Sequence, residues 1–202
     1  MEKIMLFFPV IFLLCFPRIE GQVEGDGKCP DIPVQQNFNI DSYMGKWYQH
    51  ASYPSKIDLP STCHNAEYTL LPNGVILVGN SKTFYPSMKK KTIKGTLKQV
   101  PGENEGKFLI NFPFKRGERR INRETPYWVL ETDYHSYAVV WSCRENINNG
   151  KLTNTRYLWF LTRSEDLLLD TLDALYDAIG KSPEISQYEI ELSDHYKCNT
   201  TS

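Results

Sequence analysis

The chain has 202 residues, 41% of them hydrophobic and 13% aromatic, and 23 Lys and Arg against 24 Asp and Glu leave a formal net charge of -1. That is enough apolar material for one globular domain with a real core, and it excludes a disordered or fibrous chain. It offers no overall field to hold a polyanion, so no nucleic-acid partner is expected.

Glu2 and Lys3 precede an apolar run of 13 residues, 4–16, after which Pro17-Arg18-Ile19-Glu20-Gly21 restores polarity. The run is shorter than the roughly 18 residues a membrane helix needs and reads as a secretory signal peptide over 1–21. Cleavage after Gly21, with Gly25 as the alternative, leaves a single domain over 22–202, secreted to the extracellular space. Export also gives the cysteines a meaning. Cys15 leaves with the signal, and Cys29, Cys63, Cys143 and Cys198 remain as an even set for two disulfides in an oxidising compartment. No C-x-x-C pair suggests zinc or redox chemistry, and the spacing does not choose among the three possible pairings.

From about residue 45 the pattern is one of short β-rich runs, over 46–52, 65–71, 75–81, 92–100, 107–114, 127–132, 137–143 and 155–162. Turn signals part them: Pro72-Asn73-Gly74, Tyr85-Pro86-Ser87, residues 101–106, Asp133-Tyr134-His135-Ser136 and residues 146–150. Eight strands joined by short turns predict an antiparallel meander, and eight is the number at which a barrel can close around one small ligand. Phe108, Ile110, Phe112 and Phe114 share one face of the fifth run, as Thr155, Tyr157, Trp159 and Leu161 share one face of the last. On periodicity alone these stripes favour a packed sandwich core over a cavity wall, because aromatic stripes are usually core.

Beyond the last strand the period becomes helical. Ser164 is placed as an N-cap, Glu165 and Asp166 suit the helix dipole, and Leu168, Leu172, Leu175 and Ile179 recur at helical spacing until Gly180. With Asp170, Asp173 and Asp177 on its polar face, this helix is expected to pack on the outside of the barrel. An extended run over 187–192 leads to Cys198 and to a glycosylation acceptor, Asn199-Thr200-Thr201.

Three separated motifs now resemble the lipocalin family: Gly45-Lys46-Trp47 at the first strand, the turn Thr132-Asp133-Tyr134, and Arg163 directly after the last strand. The resemblance covers roughly residues 29–198 and implies an all-β, eight-stranded up-and-down barrel with one C-terminal helix. It places Arg163 over the Trp47 indole at the closed end, as structural residues. Lys28-Cys29-Pro30, Pro33 to Phe38, Pro126 to Leu130 and Tyr137 to Cys143 look most like the apolipoprotein D and insect bilin-binding branch. That branch implies the pairings Cys29–Cys143 and Cys63–Cys198.

The resemblance carries pocket positions over to Tyr68, Asn80, Phe112, Tyr127 and Trp159, and strand parity adds Phe114 and Tyr157. Lys82, on the face of Asn80, is placed to meet a carboxylate near the mouth. Bilin binders of this branch use histidines where Lys82 and Asn154 stand here, which argues against biliverdin, and His50, His64, His135 and His195 read as surface residues.

No catalytic motif is present, and the paired cysteines leave no thiolate nucleophile. The expectation is a secreted carrier of a small hydrophobic ligand, a lipid, fatty acid, sterol-like molecule or bilin pigment, with no required cofactor or metal. The alternative is an extracellular interaction or signalling lipocalin, a partner of lipid, lipoprotein or a cell-surface receptor. It would act through basic turns such as Met88 to Lys91 and Lys115 to Arg120.

Overall fold

A computed structural model describes residues 22–54, 61–102, 104–195 and 198, so the expected signal segment and the acceptor Asn199 lie outside the described residues. In chain order the elements are β1 (Val23–Asp26), α1 (Ile40–Tyr43), β2 (Gly45–Ser52), β3 (Ser61–Leu70), β4 (Ile76–Phe84) and β5 (Lys89–Gln99). There follow β6 (Lys107–Asn111), β7 (Phe114–Arg116), β8 (Arg119–Ile121), β9 (Glu124–Thr132), β10 (Tyr137–Asn148), β11 (Lys151–Thr162), α2 (Leu169–Gly180) and β12 (Glu191–Leu192).

Strand order runs β11-β10-β9-β6-β5-β4-β3-β2, and β11 pairs again with β2 from Trp159 opposite Ser52 to Thr162 opposite Tyr48. The meander therefore closes into an antiparallel barrel and leaves none of these eight strands with an edge. β1 and β12 add to β11 and β2.

The core is double. Inside, at one end, Phe38, Tyr43, Trp47, Leu97, Phe108 and Val129 pack with almost no solvent exposure. Outside, Leu175, Ala178 and Ile179 of α2 cover Val139, Trp141, Leu158 and Phe160. β10 is buried on both faces from Ala138 to Cys143, which explains its near-continuous apolar run. Disulfides Cys29–Cys143 and Cys63–Cys198 close spans of 114 and 135 residues and tie both flanking segments to the barrel. Each contributes about 2–5 kcal/mol.

Several expectations are corrected. β10 and β11 run on to Asn148 and from Lys151, because Asn149 and Gly150 take φ of 51° and 77° and make a two-residue hairpin that needs no wider loop. β6 stops at Asn111, because Pro113 has no N–H for the ladder, and Phe114 opens the separate β7-β8 hairpin instead. Ser164 does not cap α2: its Oγ accepts the Asp166 N–H in a turn, and the helix begins five residues later at Leu169. The one-turn α1 is additional. Asn39 caps it by accepting the Ser42 N–H.

Candidate functional site

The closed end is built by the motif residues. Gly45 has φ +91°, a conformation that side-chain-bearing residues rarely adopt. The Trp47 indole N–H donates to the Tyr43 carbonyl at 2.8 Å. Arg163 lies 3.7 Å over the Trp47 ring and donates to three carbonyls, those of Tyr134 (3.1 Å), Lys46 (2.9 Å) and Ser42 (2.8 Å). The turn that supplies Tyr134 is held by its own side chains. Thr132 Oγ1 accepts the Tyr134 N–H, and Asp133 Oδ1 accepts those of His135, Ser136 and Tyr137 at 2.8 to 3.0 Å. Burial opposes the Asp133 charge, but these donors outweigh it and hold the carboxyl below its ordinary 3.8.

Above this floor the barrel encloses a cavity of about 670 Å³ that opens at the other end. Tyr68 and Tyr127 form its deep wall, with Val140 and Leu161. The Tyr127 hydroxyl lies 2.8 Å from the hydroxyls of both Tyr43 and Tyr68. Three phenolic protons serve two such bonds, so one O–H of the three is left over. Burial pushes these phenols up, Tyr68 to about 12 and Tyr43 and Tyr127 well above 10.0, so all three stay protonated at neutral pH.

Midway lie Phe112, Asn80 and Trp159, and nearer the mouth Tyr157 and Lys82. The Tyr157 and Trp159 rings are 5.9 Å apart and nearly parallel, giving a flat aromatic wall. Phe112 reaches the wall because residue 95 is glycine: a Cβ there would sit 2.6 Å from its ring. The structure thus brings together Tyr68, Asn80, Lys82, Phe112, Tyr127, Tyr157 and Trp159. It does not bring in Phe114, which is 52% exposed on its hairpin.

Asn154 is no ligand position either. It is fully buried outside the cavity, its amide donating to the carbonyls of Asp26, Gly27 and Lys28 and so holding β1 to the barrel. Two histidines expected on the surface lie elsewhere. His64 lines the cavity near the mouth, and His50 is 5% exposed, hydrogen-bonded to the Ser164 carbonyl at 3.1 Å and stacked on His195. Glu165, His195 and Cys198 group within 4.8 Å, but the Cys198 sulfur is taken by its disulfide. Sequence reasoning missed Arg144, which also lines the cavity. It continues the inward alternation Val140, Ser142, Arg144, and one further parity step past the assumed strand end at residue 143 finds it.

A closed barrel plugged at one end, with an aromatic cavity open at the other, defines a cup-shaped up-and-down barrel with one internal cavity. Comparison with known proteins then identifies the kind of cup. A lipocalin-like domain model matches residues 38–182, and apolipoprotein D of Bos taurus is 33% identical over 200 residues, 98% of each chain. The chain therefore belongs to the lipocalin family. A bilin-binding protein of Pieris brassicae is 27% identical over 186 residues, 92% of this chain and 93% of that one. Insecticyanin of the tobacco hornworm Manduca sexta superposes with a TM-score of 0.75 over 88% of this chain and 92% of its own, at 24% identity, and so shares the fold.

Proposed function

We propose that the protein is a secreted carrier that buries one small hydrophobic molecule in the barrel for transport or sequestration, and is not an enzyme. The observation that supports this most is the aromatic cavity of about 670 Å³, within the 300–1,000 Å³ usual for small-molecule sites. Tyr68, Asn80, Phe112, Tyr127, Tyr157 and Trp159 are the contact residues, and apolar ligand surface leaving water supplies the affinity at about 25 cal/mol per Å² before association costs. Similarity to a bilin-binding protein and to apolipoprotein D supports a ligand that is largely ring or hydrocarbon. Two long-range disulfides support export. β1 begins at Val23, so cleavage after Gly21 keeps that strand whole whereas cleavage after Gly25 removes three of its four residues.

Trp159→Ala tests the reading. Losing this ring from the wall should weaken binding of a neutral hydrophobic fluorophore more than tenfold with an unchanged circular dichroism spectrum, and unchanged affinity would refute the cavity assignment.

A second reading, surface binding to lipid or a receptor, is favoured by one observation. The basic turn at Lys89 to Lys91 and the β7-β8 hairpin both fall at the open end, and Lys89, Lys90, Lys91 and Arg119 are exposed there. Reversing the three lysine charges should reduce binding to anionic vesicles, and equal binding would dismiss it.

A further inference from the structure

Beside His50 of β2, away from the cavity, four metal-ligating side chains from three parts of the chain meet. Glu165 follows β11, Cys63 lies in β3, and His195 and Cys198 belong to the segment after β12. One ligand atom each of Glu165, His195 and Cys198 lies within 4.8 Å of the others, and Cys63 Sγ is bonded to Cys198 Sγ. All four side chains are half-buried, and none lines the cavity.

The imidazole is already set as a ligand. His195 Nε2 lies 2.8 Å from the Gln49 carbonyl, which only accepts, so Nε2 carries the proton and Nδ1 keeps its lone pair. That Nδ1 is 4.0 Å from Cys198 Sγ, and the His50 ring, stacked at 4.3 Å, fixes the plane of the imidazole. Hydrogen bonds other than the S–S link hold the parts together. The Ser193 N–H donates to the His50 carbonyl at 2.9 Å, the Cys63 N–H donates to the Asp194 carbonyl at 3.1 Å, and Thr62 Oγ1 donates to that same carbonyl. On the opposite side the Ser164 carbonyl, next to Glu165, accepts from Thr162 Oγ1 at 2.6 Å and lies 3.1 Å from His50 Nε2.

We propose that Cys63, Glu165, His195 and Cys198 form a zinc site that their disulfide keeps closed and that reduction opens. A dithiol reductant breaks the S–S bond and is itself oxidised to a cyclic disulfide; its two protons pass to Cys63 and Cys198, which lose them again on binding the dication. Two thiolates, one imidazole and one carboxylate make a four-coordinate set of the kind zinc takes. The sulfurs need part only to about 3.8 Å, the edge of a tetrahedron with Zn–S bonds of about 2.3 Å. Zinc then fastens the C-terminal segment to the barrel where the disulfide did, so the tie survives a reducing environment. The site is independent of what the cavity carries.

The test uses the full chain with Zn²⁺ and with Co²⁺, whose tetrahedral thiolate complexes have intense visible bands. The disulfide-bonded protein should show no such bands. After anaerobic reduction with a phosphine, chosen because a dithiol would itself chelate the metals, one Co²⁺ per chain should bind with those bands and be displaced by one Zn²⁺. His195→Gln or Glu165→Gln should each weaken Zn²⁺ binding at least about tenfold, since even loss of an outer-shell partner costs about 10–100-fold. A folded, reduced chain that binds neither metal overturns the proposal, as does binding unchanged by His195→Gln, which would place the metal on Cys29 and Cys143. Should reduction of both disulfides unfold the chain, Cys63→Ala frees the Cys198 thiol with Cys29–Cys143 intact and needs no reductant. That variant should bind one Co²⁺ and lose it when His195→Gln is added; no binding, or binding indifferent to His195, overturns the proposal equally.

Discussion

Replacing Arg163 with Met separates the role of the floor from that of the cavity. The guanidinium makes three hydrogen bonds, to the carbonyls of Tyr134, Lys46 and Ser42, and covers the Trp47 ring at 3.7 Å. Hydrogen bonds from a charged donor contribute about 1.5–3 kcal/mol each when buried, but the two to Lys46 and Ser42 lie toward solvent and merit about 0.5–1 each. The cation–π contact adds about 0.5–2 kcal/mol. Methionine keeps part of the packing, so the net loss should be about 3–5 kcal/mol, or about 6–20 °C in melting temperature at about 2–4 °C per kcal/mol for a chain of this size. Neither Arg163 nor Trp47 borders the cavity. Ligand affinity measured well below the melting point should therefore stay within about threefold, since no contact with the ligand is lost. Thermal unfolding by circular dichroism with disulfides intact provides the stability readout. A melting temperature within about 2 °C of the native value, less than one weak contact is worth, would refute the view that Arg163 ties α1, β2 and the Thr132–Tyr134 turn into one plug.

Two further outcomes follow from the same geometry. Burial holds the His50 pKa below its ordinary 6.5, outweighing the Ser164 carbonyl, with the stacked His195 acting in the same direction and Asp166 and Glu165 against it. The folded chain then keeps His50 neutral where the unfolded chain takes a proton, so this contribution is complete above about pH 6.5 and is lost as pH falls toward the folded value. Urea unfolding should show stability dropping as pH falls below about 6.5, and His50→Gln should flatten that drop; an identical slope in the variant would contradict the assignment. Asp133→Ala strips the acceptor from three backbone N–H groups and should cost about 1–3 kcal/mol in urea, whereas a loss under about 0.5 would show that water replaces the carboxylate freely.

Much of the barrel was legible because its signals are local. Alternation with turn residues between runs located all eight barrel strands, and the Gly45, Trp47, Thr132–Tyr134 and Arg163 motifs marked the closed end. What was not legible depends on partners distant in sequence. Four residues at Ile40–Tyr43 are too few to show a helical period, yet Tyr43 is fully buried in the floor and hydrogen-bonded to Tyr127 84 positions away. Alternation carried Phe114 onto the wall because parity does not register that Pro113 ends the ladder. Asn154 and His50 looked like a ligand position and a surface group, since nothing adjacent in sequence shows that one fastens β1 and the other packs under His195. Arg144 escaped for the opposite reason: its strand was ended too early at a turn that needs only Asn149 and Gly150.

The central claim, one hydrophobic ligand held inside the barrel, is tested most directly by titrating the disulfide-bonded protein with biliverdin and, in parallel, with a long-chain fatty acid while following tryptophan fluorescence. Trp159 lines the cavity and stacks on Tyr157, so an occupant must change its emission. Saturable quenching by at least one of the two, at one molecule per chain and lost in Trp159→Ala, is the predicted result. No saturable change with either would contradict the claim and leave the exposed surface of the open end as the part of the molecule that acts.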